Sequence, residues 1–184
     1  MIIDNVNIVL IGFRGTGKTT IGRILARRLG KGFVDADEYL EQKEKRTIRD
    51  IFQEDGEGVF REIETKVIQE ICSFDDKVIA TGGGAVLREE NVRNLKKRGV
   101  LIFLNTDINI IYKRIYGDKR SSQKRPNLTH LSNYQEIKYL LECRRPLYDK
   151  IADFVIDTAG TSLNTVVRKI IALIHGHVRD LRKE

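Results

Sequence analysis

The sequence predicts an α/β fold, a doubly wound, five-stranded parallel sheet with helices on both faces. Five short apolar runs end in glycine or a small polar residue, and each gives way to helical periodicity. Runs this short and apolar on both faces suit a parallel sheet covered on each side, and the alternating order requires right-handed crossovers. A length of 184 residues leaves room for one domain, so 1–184 is read as a single unit without linker or repeat.

The first strand, Asn7 to Ile11, runs into Gly12-Phe13-Arg14-Gly15-Thr16-Gly17-Lys18-Thr19. This is the pattern GxxxxGK[ST] between a strand and a helix. Gly12, Gly15 and Gly17 let the backbone wrap with its N–H groups inward. The following helix, Lys18 to Leu29 closed by Gly30, adds its positive end at the same spot. Such a loop binds a nucleoside triphosphate. Lys18 is placed for the β- and γ-phosphates and the Thr19 hydroxyl for magnesium, with Thr16 and Thr20 counted in the same nucleotide-binding set.

The second strand, Gly32 to Asp35, ends in Asp35-Ala36-Asp37, and the third, Lys77 to Thr81, in Thr81 and Gly82-Gly83-Gly84. The acid that commonly ends a later strand and holds magnesium is therefore missing from the third. Asp35 replaces it, at a strand end where parallel strands converge on the ligand crevice. In an extended strand end Asp37 shares a face with Asp35 and reaches toward an acceptor. The same pair also reads as a helix N-cap and a solvent residue. From Asp37 to about Gly58 short helices form a substrate-side insertion, bounded here as 37–60, before a long helix from Glu57 to Cys72. Strands Gly99 to Leu104 and Phe154 to Asp157 complete the sheet. The remaining helices run Glu89 to Arg98, Asp107 to Ile115, Ser132 to Cys143 and Ser162 to Ile174.

With 41% hydrophobic and 32% charged residues, disordered and collagen-like classes are excluded. No apolar run approaches the roughly 20 residues of a membrane span, and no basic-then-apolar leader opens the chain, so a cytoplasmic protein without a membrane partner is expected. Cys72 and Cys143 are isolated and are expected to be two buried, reduced thiols. The net charge of +7 suits polyanions, and its distribution narrows the choice. Lys113, Arg114, Lys119, Arg120, Lys124 and Arg125 fall in a Gly/Ser/Asn-bearing stretch that reads as a mobile, positive loop. Arg93, Lys96, Lys97 and Arg98, like Arg179, Arg182 and Lys183, read as solvated helix faces. No aromatics interleave with the basic residues of the span 117–131, so no nucleic-acid partner is expected.

The phosphate loop, Asp35-Ala36-Asp37, Gly82-Gly83-Gly84 and the two Arg-Pro pairs, Arg125-Pro126 and Arg145-Pro146, together resemble the shikimate kinase family. The likeness runs over nearly the whole chain in the same order. It implies a nucleoside-monophosphate-kinase-like fold with a shikimate-binding segment and a mobile lid, placed at 117–131. It implies transfer of the γ-phosphoryl of ATP, with Mg2+, to the 3-hydroxyl of shikimate, a step of aromatic amino-acid biosynthesis, by a protein expected to be a monomer. By the same resemblance Asp35 holds magnesium through water, and Asp37 bonds the substrate hydroxyls as base. Arg61, in Gly58-Val59-Phe60-Arg61-Glu62-Ile63-Glu64, and Arg144, in Arg144-Arg145-Pro146-Leu147-Tyr148, grip the shikimate carboxylate. Gly83, flanked by Gly82 and Gly84, meets the ring hydroxyls with its backbone, and Phe52 and Phe60 wall the ring. Arg125 is the lid arginine on ATP, catalytic with Lys18 and Asp37; Arg114 stacks on adenine, and Thr161 stands where the family has a polar or basic residue. One departure is Arg125-Pro126-Asn127-Leu128, where the family more often has an apolar residue after the proline.

The residue chemistry agrees with these roles without deciding each of them. A small polyhydroxy acid needs a planar, bidentate cation, which arginine supplies better than lysine. Yet Arg61 is also spaced i, i+4 from Glu57 as a surface pair, and Gly82 to Gly84 also read as a plain turn. Chemistry alone does not separate Arg144 from Arg145; the alignment to Pro146 picks Arg144. Two other readings compete. A gluconate-like sugar-acid kinase is opposed by the Asp-x-Asp and triple glycine, and a nucleic-acid-binding P-loop protein by the lack of interleaved aromatics.

Overall fold

The computed structural model describes residues 6–117 and 133–180. In chain order they form β1 (Asn7–Ile11), α1 (Lys18–Leu29), β2 (Gly32–Asp35), α2 (Ala36–Glu44), α3 (Ile48–Glu54) and α4 (Gly56–Ile71). Then follow β3 (Lys77–Ala80), a 3-10 turn (Ala85–Leu87), α5 (Glu89–Arg98), β4 (Gly99–Asn105), α6 (Ile108–Tyr116), α7 (Asn133–Ile151), β5 (Phe154–Asp157) and α8 (Leu163–Asp180). The five strands make one parallel sheet in the order β2-β3-β1-β4-β5. β1 lies at its centre, so the loop leaving β1 opens at the middle of the carboxyl edge, where ligands of such sheets bind.

Alternation along each strand divides the core in two. Val9, Ile11, Ile79, Leu101 and Phe103 pack against α3, α4 and α7, while Ile8, Leu10, Val78, Ile102 and Leu104 pack against α1 and α8. Ile8 to Ile11 are all 0% exposed, and each such side chain contributes about 1.5–3 kcal/mol by burial. The buried stripe of α8, Val166, Val167, Ile170 and Ile174, has helical spacing.

The structure corrects the sequence reading at three places. The chain does not stay extended to Asp37. It turns into α2 at Ala36, because Asp35 caps that helix by accepting hydrogen bonds from the Asp37 and Glu38 backbone N–H groups at 3.0 and 3.3 Å. Asp37 therefore projects from a first helical turn. The helix expected to stop at Cys143 continues through Pro146 to Ile151. An interior proline costs a helix ~3 kcal/mol. Burial of Tyr148 and Ile151, one and two turns further along the inward stripe from Arg144, offsets that cost. Finally, Cys143 is exposed because it lies off that stripe, whereas Cys72 is buried and its thiol is pushed up to about 11 by desolvation.

Arg93, Lys96, Lys97 and Arg98 are exposed on α5, as a solvated face requires. Lys119, Arg120, Lys124, Arg125, Arg182 and Lys183 lie outside the described residues, as does the span proposed for the lid apart from Gly117. Among the described residues no helix is long and apolar enough to cross a membrane.

Candidate active site

The loop after β1 is held in shape by its own hydrogen bonds. Gly17, which precedes α1, has φ +97°, a left-handed conformation that a side chain would strain. Lys18 folds back along the loop, and its Nζ donates to the carbonyls of Gly12 at 2.8 Å and Phe13 at 2.9 Å. The Thr16 hydroxyl donates to the Phe13 carbonyl at 2.8 Å, so its side chain is committed to the loop. One turn into α1, the Thr19 hydroxyl donates to Asp35 Oδ2 at 2.6 Å.

Asp35 therefore does two things at once. Oδ1 caps α2, and Oδ2 faces Thr19 beside the phosphate loop. Hydroxyl and carboxylate oxygens are the hard donors that magnesium takes, and one carboxylate with ligand phosphates is its usual protein complement, so this pair fits the ion.

On the other side of the loop, Thr16, Gly17 and Thr20 line a cavity of about 270 Å³ with Arg114 and Thr161. Arg114, on α6, donates from Nη1 to the Gly15 carbonyl at 2.9 Å, which clamps it to the loop. The expected adenine-side residues thus meet in one place, and Arg125 lies outside the described residues.

A second, smaller cleft of about 60 Å³ lies across the loop. It gathers Asp37 from α2, Phe52 from α3, Phe60 and Arg61 from α4, Gly83 and Gly84 after β3, and Arg144 from α7. Phe52 and Phe60 pack with centroids 4.6 Å apart, and the Arg61 guanidinium sits 5.1 Å over the Phe60 ring. Arg61 pairs with Glu57 at 2.9 Å and also lines the cleft, and at 9% exposure it is not a surface residue. Only one of the adjacent arginines on α7 points inward. Arg144 is 9% exposed, while the side chain of Arg145 is 57% exposed and lies 3.8 Å from Asp149.

The three glycines give room to three different groups. A Cβ at Gly82 would stand 2.8 Å from Asp37 Oδ1, one at Gly83 3.2 Å from the Arg14 backbone nitrogen, and one at Gly84 2.6 Å from Arg61 Nη2. That exceeds what a plain turn needs, since side chains there would push the acid and the cation out of the cleft.

The sequence reading gave no acceptor role to Arg14 or Glu64, which line the cleft, or to Tyr148, which supports it from behind. Glu64 accepts from Arg61 Nη1 at 2.8 Å and is almost fully buried. Burial pushes its carboxyl up, against the pull of Arg61, Arg144 and Arg88. The i, i+3 spacing from Arg61 was the available signal. Tyr148, fully buried, donates its hydroxyl to the Gly83 carbonyl and stacks on Phe103 at 5.0 Å, tying α7 to the glycine turn. Burial raises its hydroxyl pKa, against the nearby Arg144 charge. Arg144 itself is lowered by burial and by the charges of Arg61 and Arg14, partly offset by Tyr148. Burial opposes the charge on Arg61 too, but Glu64 and Glu57 outweigh it and hold that guanidinium above its ordinary value.

The shikimate kinase family model matches residues 14–175. A shikimate kinase of Thermodesulfovibrio yellowstonii is 47% identical over 165 residues, covering 90% of this chain and 92% of that protein. A shikimate kinase from Acinetobacter baumannii, solved in complex with shikimate, has a TM-score of 0.87 at 38% identity, covering 94% of each chain. A gluconokinase from Sinorhizobium meliloti shares the fold at a TM-score of 0.61 but only 17% identity, over 97% of this chain and 96% of that one. That last likeness concerns architecture alone. The family match begins inside the phosphate loop and ends on the last buried turn of α8, taking in every element that lines the two cavities, and the chain belongs to the shikimate kinase family.

Proposed function

We propose that the protein transfers the γ-phosphoryl group of ATP to the 3-hydroxyl of shikimate, giving shikimate 3-phosphate and ADP. The observation that carries this reading is one cleft lined by a carboxylate, Asp37, by two buried guanidiniums, Arg61 and Arg144, and by the phosphate loop at Phe13 and Arg14. A polyhydroxy acid fits such a cleft end to end, its carboxylate on the arginines and a hydroxyl toward Asp37. Glu57 and Glu64 fix the Arg61 fork, and Tyr148 holds the turn whose backbone meets the ring hydroxyls.

In the transfer, the acceptor oxygen forms a bond to the γ-phosphorus as the bond from that phosphorus to the β-phosphate oxygen breaks. Asp37 takes the hydroxyl proton. Lys18 exchanges its contacts on the Gly12 and Phe13 carbonyls for phosphate oxygens, and loop N–H groups complete the cradle. Thr19 and Asp35 hold magnesium. When bound, the ion neutralises phosphate charge. Thr20, Arg114 and Thr161 receive the nucleoside end. With this reading go a single catalytic domain, a cytoplasmic monomer, and no nucleic-acid or membrane partner.

An ADP-release assay with shikimate, with gluconate and with no acceptor tests the proposal. Release is expected with shikimate alone; faster release with gluconate, or equal release without acceptor, overturns it. Arg61→Ala and Arg144→Ala should each raise the KM for shikimate steeply, because losing one partner of a desolvated charge pair costs about 2–5 kcal/mol. ATP affinity by calorimetry should stay near wild type. Arg145→Ala should leave both unchanged, since its side chain is turned to solvent.

A further inference from the structure

The phosphate loop brings a third guanidinium to the acceptor cleft. Arg14 lines that cleft with Asp37, Arg61 and Arg144, and its side chain is 17% exposed. Its Nε and Nη2 are buried without a hydrogen-bond partner among the described residues. The nearest opposite charge is Glu136, 0% exposed on α7, whose Oε1 lies 3.5 Å from Nη2. That contact is long beside the 2.8 and 2.9 Å bonds holding Arg61. Arg14 also approaches the Tyr116 hydroxyl. Arg14 and Arg144 flank one ring, with guanidinium carbons 6.0 and 5.7 Å from the Phe13 centroid.

Nothing in phosphate binding asks for this residue. The loop pattern leaves the position open, and the backbone does the cradling. Buried N–H groups without an acceptor are costly, so a cleft that keeps two of them on one cation is built to have the acceptor supplied. Arg61 has three of its five N–H groups on Glu57 and Glu64, which leaves two for a ligand. Arg14 has no such carboxylate bond at Nε or Nη2.

We propose that Arg14 is a specificity-determining residue for the acceptor: with no hydrogen bond holding Nε and Nη2 and only the long contact to Glu136, its guanidinium turns into the cleft it lines and donates to the acceptor's carboxylate beside Arg144. The inference rests on the acceptor reading of the cleft given above. It makes the donor loop itself part of acceptor recognition. The other ligand anion this guanidinium could meet is the transferring phosphoryl group, and the test separates the two.

The experiment compares wild type, Arg14→Met and Arg14→Lys, each with shikimate and with its neutral carboxamide. Arg14→Met should raise the KM for shikimate roughly 10- to 100-fold, the range of a hydrogen bond to a charged group, with kcat near wild type. The carboxamide KM should be the same in both proteins. Arg14→Lys keeps the charge but loses the fork, so its KM for the acid should fall between the two. ATP affinity by calorimetry shows that the loop is intact; if Arg14→Met loses it, Arg14→Lys carries the same comparison. An equal KM rise for acid and carboxamide means packing alone and overturns the proposal. So does a fall in kcat at unchanged KM, which assigns Arg14 to the phosphoryl group. Wild-type protein inactive on shikimate would defeat the functional reading itself, before any variant is compared.

Discussion

Lys18→Ala is expected to abolish measurable turnover while the protein remains folded. The ammonium donates to the loop carbonyls of Gly12 and Phe13, which are backbone contacts of the loop and not of the apolar core. Removing it takes a donor from the Gly12 carbonyl, while the Phe13 carbonyl keeps the Thr16 hydroxyl; the loss costs about 1–3 kcal/mol at most and shows as a lower Tm. The kinetic loss is larger. Charge develops on the transferring phosphoryl group where a preorganised donor acts in a water-poor site, and deleting one such donor costs at least about 10²–10³-fold in kcat. Lys18→Met, which keeps the volume, should match Lys18→Ala in rate and recover part of the Tm. Near-normal kcat in either folded variant refutes the role of this lysine in transfer.

Asp37→Asn should lower kcat by about 10²–10⁴-fold, the worth of a positioned base, and change ATP affinity little. The amide is nearly isosteric, so Gly82 still gives it room, and it can hydrogen-bond an acceptor hydroxyl. It cannot take the proton as the oxygen attacks. Single-turnover measurement isolates the transfer step from product release. A loss below tenfold there would leave Asp37 as a residue that binds the acceptor and does not move its proton. Asp35→Asn makes the contrast, because its cost should depend on magnesium concentration whereas that of Asp37→Asn should not.

The donor side was legible in the linear chain because it is built from contiguous residues. A strand, three glycines, Lys18, Thr19 and the start of a helix specify a backbone shape among themselves, and in the structure Lys18 folds back on the loop while Thr19 meets Asp35. The five strands were legible too, since each is a short, mostly apolar run; β1, β3 and β4 are buried on both faces, while the edge strands β2 and β5 are only partly covered. Asp35 showed how far local reading goes. It was open between metal ligand and helix cap; Oδ1 caps α2, while Oδ2 accepts from the Thr19 hydroxyl.

The acceptor side depended on distances no local pattern carries. Residues 14, 37, 61, 83 and 144 meet in one cleft because the order β2-β3-β1-β4-β5 brings α2, α4, the glycine turn and α7 around the loop after β1. Helical spacing marks Arg144 and Arg145 as different faces of α7 but does not say which face turns inward. Burial of Tyr148 and Ile151 on the stripe of Arg144 decides it, and the same burial carries the helix through Pro146 and leaves Cys143 in solvent. Glu64 and Glu136 read as ordinary helix acids until packing closes over them beside Arg61 and Arg14. The sequence by itself determined the phosphate loop and the sheet, where neighbours in the chain are the interacting groups. Only the tertiary structure decided which charges are desolvated together, because that depends on side chains distant in sequence excluding water from one another.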